Sequence, residues 1–335
     1  MSQPPPEVLV TGSSGHLGTA LMLSLSSFGL SPFGIDILPS LTTNLLTDIT
    51  SAEQLTALFT SQPSITHIIH TATLHKPHIA SHPKSAFLSV NMTGTLNLLE
   101  AATTFGIETF TFISTTSTFG SALSPEPGQQ AVWIDESVAP RPKNIYGATK
   151  TAAEDLCWLF HKEHGLPMVV LRTSRFFPEG DDDDERRESM EDANLKVCEL
   201  AYRRVDIEDV VRACVCAVRK AKQLRYGKYI ISAPPPFEKN GSVLRGLDMD
   251  PGAQMRIAVP QTRAVFDAKG WKYLGRIDRV YDSSKAVKEL GWEPQYTFGR
   301  VIERLDNGKD WKSELTVRVG KRGYHVVSTG VYTMR

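Results

Sequence analysis

Neither positive nor negative charge is in excess in this sequence. Lys+Arg number 37 and Asp+Glu number 37, a formal net charge of zero, so electrostatics offers no case for nucleic acid or an anionic membrane as partner. Long apolar runs are missing too, and none reaches the length of a membrane span. The opening Met1-Ser2-Gln3-Pro4-Pro5-Pro6 has no basic residue and no apolar stretch before the first expected strand, unlike a secretory signal. Cysteine is scarce: Cys157, Cys198, Cys214 and Cys216 lie in apolar, helix-like segments without C-x-x-C spacing. They read as reduced core thiols, and the expected location is cytoplasmic. His75, His78 and His82 follow one another without H-E-x-x-H or an acid at ligand spacing. They read as solvated loop histidines, and no metal is expected. Internal repeats are absent as well.

What is present is an alternation of strands and helices. Hydrophobic residues make up 41% of 335 positions, enough for one large domain or two ordinary ones. Glu7-Val8-Leu9-Val10-Thr11-Gly12 reads as a buried strand, followed by Gly12-Ser13-Ser14-Gly15-His16-Leu17-Gly18 and an apolar-periodic helix to about Phe28. Strand, glycine turn and helix are the setting of a dinucleotide fingerprint, although the spacing is G-x-x-G-x-x-G. Glycines let a pyrophosphate approach the backbone, and the helix N-terminus supplies N–H groups. Gly12, Ser14, Gly15, His16, Leu17 and Gly18 are therefore candidate cofactor residues.

A second strand, Pro32-Phe33-Gly34-Ile35-Asp36, ends in a carboxylate 18 residues past Gly18. An acid there suits a ribose 2′-hydroxyl and repels a 2′-phosphate, and no Arg follows in Ile37-Leu38-Pro39, so NAD is expected over NADP. Asp48 and Ile49 fit the adenine edge, or a helix cap before residues 51–61. A third strand runs into Thr71, Ala72 and Thr73, which should border the cofactor, because ligands bind where strands of such sheets end. A long amphipathic helix follows over 84–105; Gly94 within it is costly and predicts close packing against a neighbour. A fourth strand over 108–113 leads to the hydroxyl run Ser114-Thr115-Thr116-Ser117-Thr118, and a loop over 121–141 to the next helix.

That helix holds Tyr146 and Lys150, four apart and so on one face. A phenol is a poor base near neutrality, with a reference pKa of about 10. A neighbouring ammonium stabilises the phenolate and makes it an acid–base able to move an alcohol proton. A fifth strand covers 167–171. Alternation from 7 to 171 argues an α/β fold, a Rossmann-type doubly wound parallel sheet, with a small C-terminal substrate-binding portion. The expected division is a dinucleotide-binding domain over 1–172 and a mixed portion over 173–335, with about 204–232 returning to the first. Beyond 172 the signal weakens. Asp181-Asp182-Asp183-Asp184-Glu185 reads as a solvated loop rather than a cation site, 234–252 as linker or loop, and 283–290 and 298–305 as short helices.

In order along the chain, the 11–18 turn, Asp36, Asp48-Ile49, His70-Thr71-Ala72, Asn91-Met92-Thr93-Gly94-Thr95, the 114–120 run, Tyr146 to Lys150, and Asp282 to Trp292 resemble the extended short-chain dehydrogenase/reductases, specifically the NAD-dependent epimerase/dehydratase family. The resemblance covers 7 to about 172 and returns near 204–232 and 277–305. It implies NAD as cofactor, with Asn91, Tyr146 and Lys150 added to its contacts, Tyr146 also as acid–base, and Thr115, five before Gly120, as the hydroxyl on the reacting oxygen. It also implies a small-molecule substrate and a homodimer built on a four-helix interface. Dehydratases of the family follow their Thr with Asp-Glu; Thr116-Ser117 stand here, so elimination is not expected. Arg175 stands where nucleotide-sugar epimerases carry an Asn. A substrate is expected to meet His75, Thr116, Arg175, Phe176, Tyr202 and Arg204; Arg175, Tyr202 and Arg204 fit an anionic or polar substrate or a structural role. The expected activity is epimerisation or another oxidoreduction at a secondary alcohol or ketone carbon of a sugar-like or other polar molecule. The alternatives are a dehydrogenase or ketoreductase of a non-sugar metabolite, and a non-catalytic NAD-responsive binding protein.

Overall fold

The structure, a computed structural model, describes residues 4–178 and 189–321; the acidic run lies outside them. Seven strands form the main sheet: β1 (Val8–Thr11), β2 (Pro32–Asp36), β3 (Leu45–Leu46), β4 (His67–His70), β5 (Thr109–Thr115), β6 (Met168–Thr173) and β7 (Tyr226–Ile231). All pairings are parallel, in the order β7-β6-β5-β4-β1-β2-β3. The chain leaves β1 for β2 on one side and reaches β4 on the other. This is the doubly wound arrangement expected from the sequence, with its switch point between β1 and β4.

The helices include α1 (His16–Ser24), α2 (Ala52–Ser61), α3 (Lys84–Phe87), α4 (Gly94–Thr104), α5 (Ile145–His164), α6 (Asp192–Leu200) and α7 (Ile207–Leu224). Successive strand residues point to opposite faces. Val8, Val10, Val169 and Leu171 pack with α1 and α7 on one face, and Leu9, Phe110, Phe112 and Val170 with α2, α4 and α5 on the other. Burial on both faces explains why these strands read as unbroken apolar runs. No helix among the described residues is long and apolar enough to cross a membrane.

α3 and α4 are joined by a π-helical segment, Leu88–Thr93, which inserts Asn91 at the turn facing the sheet's ligand end. Gly94 follows, and a Cβ there would lie 2.6 Å from Ile49 Cδ1, the close packing its position predicts. α5 starts at Asn144, whose side chain accepts from the Gly147 N–H, and stops at Gly165 in the left-handed region.

Residues 234–252 are not a simple linker. They enter helix Gly241–Met249, followed by Pro251–Ala258 and Thr262–Lys269. With α6 these enclose a separate core containing Phe177, Tyr202, Leu247 and Phe266. The loop over 121–141 contains strand Val132–Ile134, paired in parallel with Arg279–Tyr281. Trp292, Leu315 and Val319 return to the sheet's first core. Two carboxylates of the α7 N-terminus hold that return: Asp206 accepts from the Ser313 N–H and hydroxyl, and Asp209 from the Gln295 and Tyr296 N–H groups.

The β1–α1 turn is the tightest approach in the sheet. A Cβ on Gly18 would lie 2.0 Å from the Gly12 carbonyl oxygen. Ala favours a helix over Gly by about 1 kcal/mol, too little to offset a clash with backbone. Gly18→Ala is expected to destabilise the fold by about 1–3 kcal/mol, read as a lower urea midpoint with unchanged slope. An unshifted midpoint would contradict the close approach.

Candidate active site

A cavity of ≈ 810 Å³ is lined by residues at the C-terminal ends of β1, β2, β4, β5 and β6. At one end stands the glycine turn, with Ser14, His16 and Leu17 among its lining. Gly12 has φ +69°, and a Cβ there would meet the Ala72 backbone at 2.8 Å, so only glycine fits. Gly15 precedes α1 and offers no capping side chain. The first turn of α1 therefore presents its N–H groups at a lining free of bulk, a seat that suits a pyrophosphate.

Asp36 closes this end. Its Oδ2 accepts from the Ser14 N–H at 3.0 Å and the Ser14 hydroxyl at 2.8 Å, and its Oδ1 from the Leu38 N–H at 3.0 Å. A carboxylate offers about four acceptor positions, so one remains for a ribose hydroxyl. Ile37, Leu38, Asp48 and Ile49 share the cavity lining, apolar or acidic neighbours that do not welcome a second phosphate. These features fit NAD.

Thr71, Ala72 and Thr73 also line the cavity, held by a directional network. The Thr71 and Ala72 N–H groups donate to the Thr11 hydroxyl, each at 3.1 Å, so that hydroxyl donates to His70 Nδ1 at 2.7 Å. Burial pushes the His70 pKa well down, so the ring is neutral and its Nε2–H donates to Thr95 at 3.0 Å. Thr95 then donates to the Asn91 carbonyl at 2.7 Å. The Asn91 amide donates to the Leu74 carbonyl and to Thr149 of α5, and its Oδ1 accepts from Thr73 and the Leu74 N–H. Asn91 thus lies behind the cavity lining, fastening the loop after β4 to α5.

Thr115 and Tyr146 line the same cavity. Gly147 lets them: a Cβ there would lie 2.6 Å from the Ser117 carbonyl oxygen, so glycine allows the first turn of α5 to sit against the hydroxyl run. The Thr115 Oγ1 accepts from the Ser117 N–H at 3.1 Å. Lys150 sits behind, 2% exposed, its Nζ 3.8 Å from the Phe112 ring centroid. Burial pushes its ammonium pKa down to about 7.

Of the residues expected to meet a substrate, His75, Thr116, Arg175, Phe176 and Arg204 line the cavity. Tyr202 does not; it is buried in the C-terminal core. Glu199, also buried, gathers the arginines: Arg204 Nε donates to it at 2.6 Å, Arg203 Nε at 2.8 Å, and Arg175 Nη1 lies 4.0 Å away. His78 is not a solvated loop residue. It is 3% exposed on a short 3-10 helix, its Nδ1 accepting from the His75 N–H at 2.9 Å, its ring edge-on to those of His75 and His82. No group of three or more His, Cys, Asp or Glu among the described residues is placed to hold a metal ion. Lys143, Arg203, Arg279 and Tyr281 join the lining without having been singled out. Arg279 and Tyr281 come from a three-residue strand, too short to leave a periodic signal.

The chain matches the model of the NAD dependent epimerase/dehydratase family over residues 8–232. It is 26% identical over 327 residues to a UDP-glucose 4-epimerase of Rhizobium meliloti, covering 90% of this chain and 96% of that one. It is 26% identical over 325 residues to a GDP-6-deoxy-D-mannose reductase of Pseudomonas aeruginosa, covering 92% and 98%. A solved L-threonine dehydrogenase of Cupriavidus necator, in holo form, shares the fold with a TM-score of 0.65 at 20% identity, over 91% of this chain and all of that one. The glycine turn and Asp36 lie inside the matched span, at the cavity's cofactor end; the chain belongs to the NAD dependent epimerase/dehydratase family and is an NAD-dependent enzyme of that extended short-chain dehydrogenase/reductase type.

Proposed function

We propose that this enzyme carries out hydride transfer at a secondary alcohol or ketone carbon of a sugar-like, polar small molecule, with Tyr146 as acid–base. The observation that carries the reading is the shared cavity: Thr115 and Tyr146 line the same space as the glycine turn and Asp36. The bound nicotinamide supplies the hydride acceptor and donor. Tyr146 takes the alcohol proton or returns it, Thr115 donates a hydrogen bond to the reacting oxygen, and the Lys150 ammonium favours the phenolate. The glycine turn 12–18, Asp36, Asp48, Ile49 and residues 71–73 hold the cofactor, with Asn91 fixing the last of these from behind. His75, Thr116, Arg175, Phe176 and Arg204 meet the substrate.

Epimerisation is favoured by the Rhizobium meliloti relative, which aligns over 90% of this chain. Net oxidation or reduction is favoured by the Pseudomonas aeruginosa relative, a reductase aligned over 92%. The two differ in what becomes of the cofactor: an epimerase retains it, and a reductase exchanges it each turnover. The enzyme should be incubated with a panel of UDP- and GDP-sugars, following NADH absorbance and the sugar epimers formed. Epimers without accumulated NADH, with NAD retained through purification, mark the epimerase; stoichiometric NADH marks the dehydrogenase. No turnover of any member of the panel would remove the sugar-nucleotide reading.

We also propose a homodimer built on α3–α4 and α5, because Leu88, Trp158 and Leu159 expose apolar surface there.

On the substrate the panel identifies, Tyr146→Phe is expected to lower kcat about 10²–10⁴-fold with the NAD Kd unchanged. Unchanged turnover would remove Tyr146 from the mechanism. Asp36→Ala should weaken NAD binding and relax the rejection of NADP, both read by titration calorimetry; wild-type preference for NADP would overturn the role given to Asp36. Light scattering should return twice the monomer mass, and a monomer at working concentration would exclude the helix pairing.

A further inference from the structure

One turn beyond Lys150, on the same face of α5, stands Glu154. Its carboxylate is fully buried and reaches three other elements of the sheet. Ser114 of β5 donates its hydroxyl at 2.6 Å, and Arg172 of β6 donates Nε at 2.9 Å and Nη2 at 2.6 Å. The Lys228 ammonium of β7 lies 3.2 Å away. Ser114 and Arg172 are opposite each other in the β5–β6 register, one residue before Thr115 and Thr173.

We propose that Glu154 is a positioning residue for proton transfer: it ties the helix bearing Tyr146 and Lys150 to the strand bearing Thr115, and it is the anion that keeps the Lys150 ammonium charged. The proposal rests on the Tyr146–Lys150 reading given above.

The surroundings of Lys150 leave this work to Glu154. From β4, His70 is neutral, its pKa pushed well down by burial and then by Lys150 itself. On α5, burial pushes the Cys157 thiol up, so it stays protonated. Phe112 of β5 offers a ring face. From the π segment and α4, Asn91 and Thr95 are uncharged. Arg172 and Lys228 are cations that share the Glu154 carboxylate. Among the described residues around Lys150, Glu154 is the ionised acid. Burial drives the Lys150 ammonium toward neutrality, and Cys157 and then Glu154 pull the other way; with the thiol protonated, the Glu154 carboxylate is the charge that remains.

Two substitutions move this balance in opposite senses. Glu154→Gln removes the anion and leaves Arg172 and Lys228 uncompensated, so Lys150 loses charge and the phenolate forms less readily. Lys228→Met removes a cation that shares Glu154 from a partly exposed site, so more of the Glu154 charge serves Lys150. The readout is the near-ultraviolet absorbance of the Tyr146 phenolate in the NAD-bound enzyme, titrated with pH, with the same protein carrying Tyr146→Phe subtracted. Glu154→Gln should raise the phenolate midpoint by about one pH unit, and Lys228→Met should lower it by several tenths. If Glu154→Gln does not fold, the Lys228→Met shift decides alone. Midpoints equal to wild type, or a Lys228→Met shift upward, would overturn the proposal. Absence of any Tyr146 phenolate below the ordinary tyrosine range in wild type would instead overturn the proton-transfer reading on which it stands.

Discussion

A helix can seat a pyrophosphate only where its first turn lies against the strand that precedes it, and here that contact runs through Gly12 and Gly18. The Gly12 carbonyl occupies the space a Gly18 side chain would fill, and Gly12 itself abuts the Ala72 backbone. Strand β1, helix α1 and the loop after β4 therefore converge on one point. The convergence has a longer reach. The Thr11 hydroxyl that receives the Thr71 and Ala72 N–H groups begins a chain through His70, Thr95 and Asn91 to Thr149 of α5. Backbone crowding at the cofactor end is thus continuous, bond by bond, with the helix that presents Tyr146. One misplaced donor in that buried chain would leave its partner unsatisfied, at a cost of about 1–3 kcal/mol.

Charge is kept out of that chain and concentrated beside it. His70 is neutral because burial disfavours its cation and Lys150 adds repulsion. The neutral ring is what makes the chain directional: Nδ1 accepts and Nε2–H donates. The ammonium of Lys150, a turn away on Phe112, meets the same desolvation. A buried lysine poised near neutrality differs from one locked in an ion pair. Small changes around it alter its charge, and that charge sets how easily its neighbouring phenol ionises.

The cofactor half was legible because its chemistry requires particular backbone geometry. A left-handed glycine, a glycine under a carbonyl and a strand-end acid leave marks at fixed spacings. Gly94 was legible for the same reason, since its missing Cβ makes room for Ile49. The helices across 241–269 were not, because Pro234-Pro235-Pro236 and scattered glycines read as punctuation while the helices themselves are short. His78 was not legible, because three histidines in a polar stretch suggest solvent, whereas edge-on contacts with the neighbouring rings cover the middle one. Glu154 left a clue that went unused: it extends the Tyr146–Lys150 stripe by the same four-residue step.

The arginine-bearing part of the cavity lining is of a different kind. Arg175 reaches the cavity from a two-residue strand, Arg203 from the turn after α6, and Arg279 from the strand Arg279–Tyr281. Replacing one leaves the sheet, the glycine turn and α5 untouched. The cofactor seat has no such freedom, because its parts are main-chain atoms shared by three elements. The chain aligns with both an epimerase and a reductase over nearly its whole length. Glu199 limits even that freedom: buried and bonded to Arg203 and Arg204, it fixes where those guanidiniums can stand. Arg279 is held separately, its Nε donating to Asp278 at 3.1 Å, so the guanidiniums of this lining are already fixed rather than left for a ligand to gather.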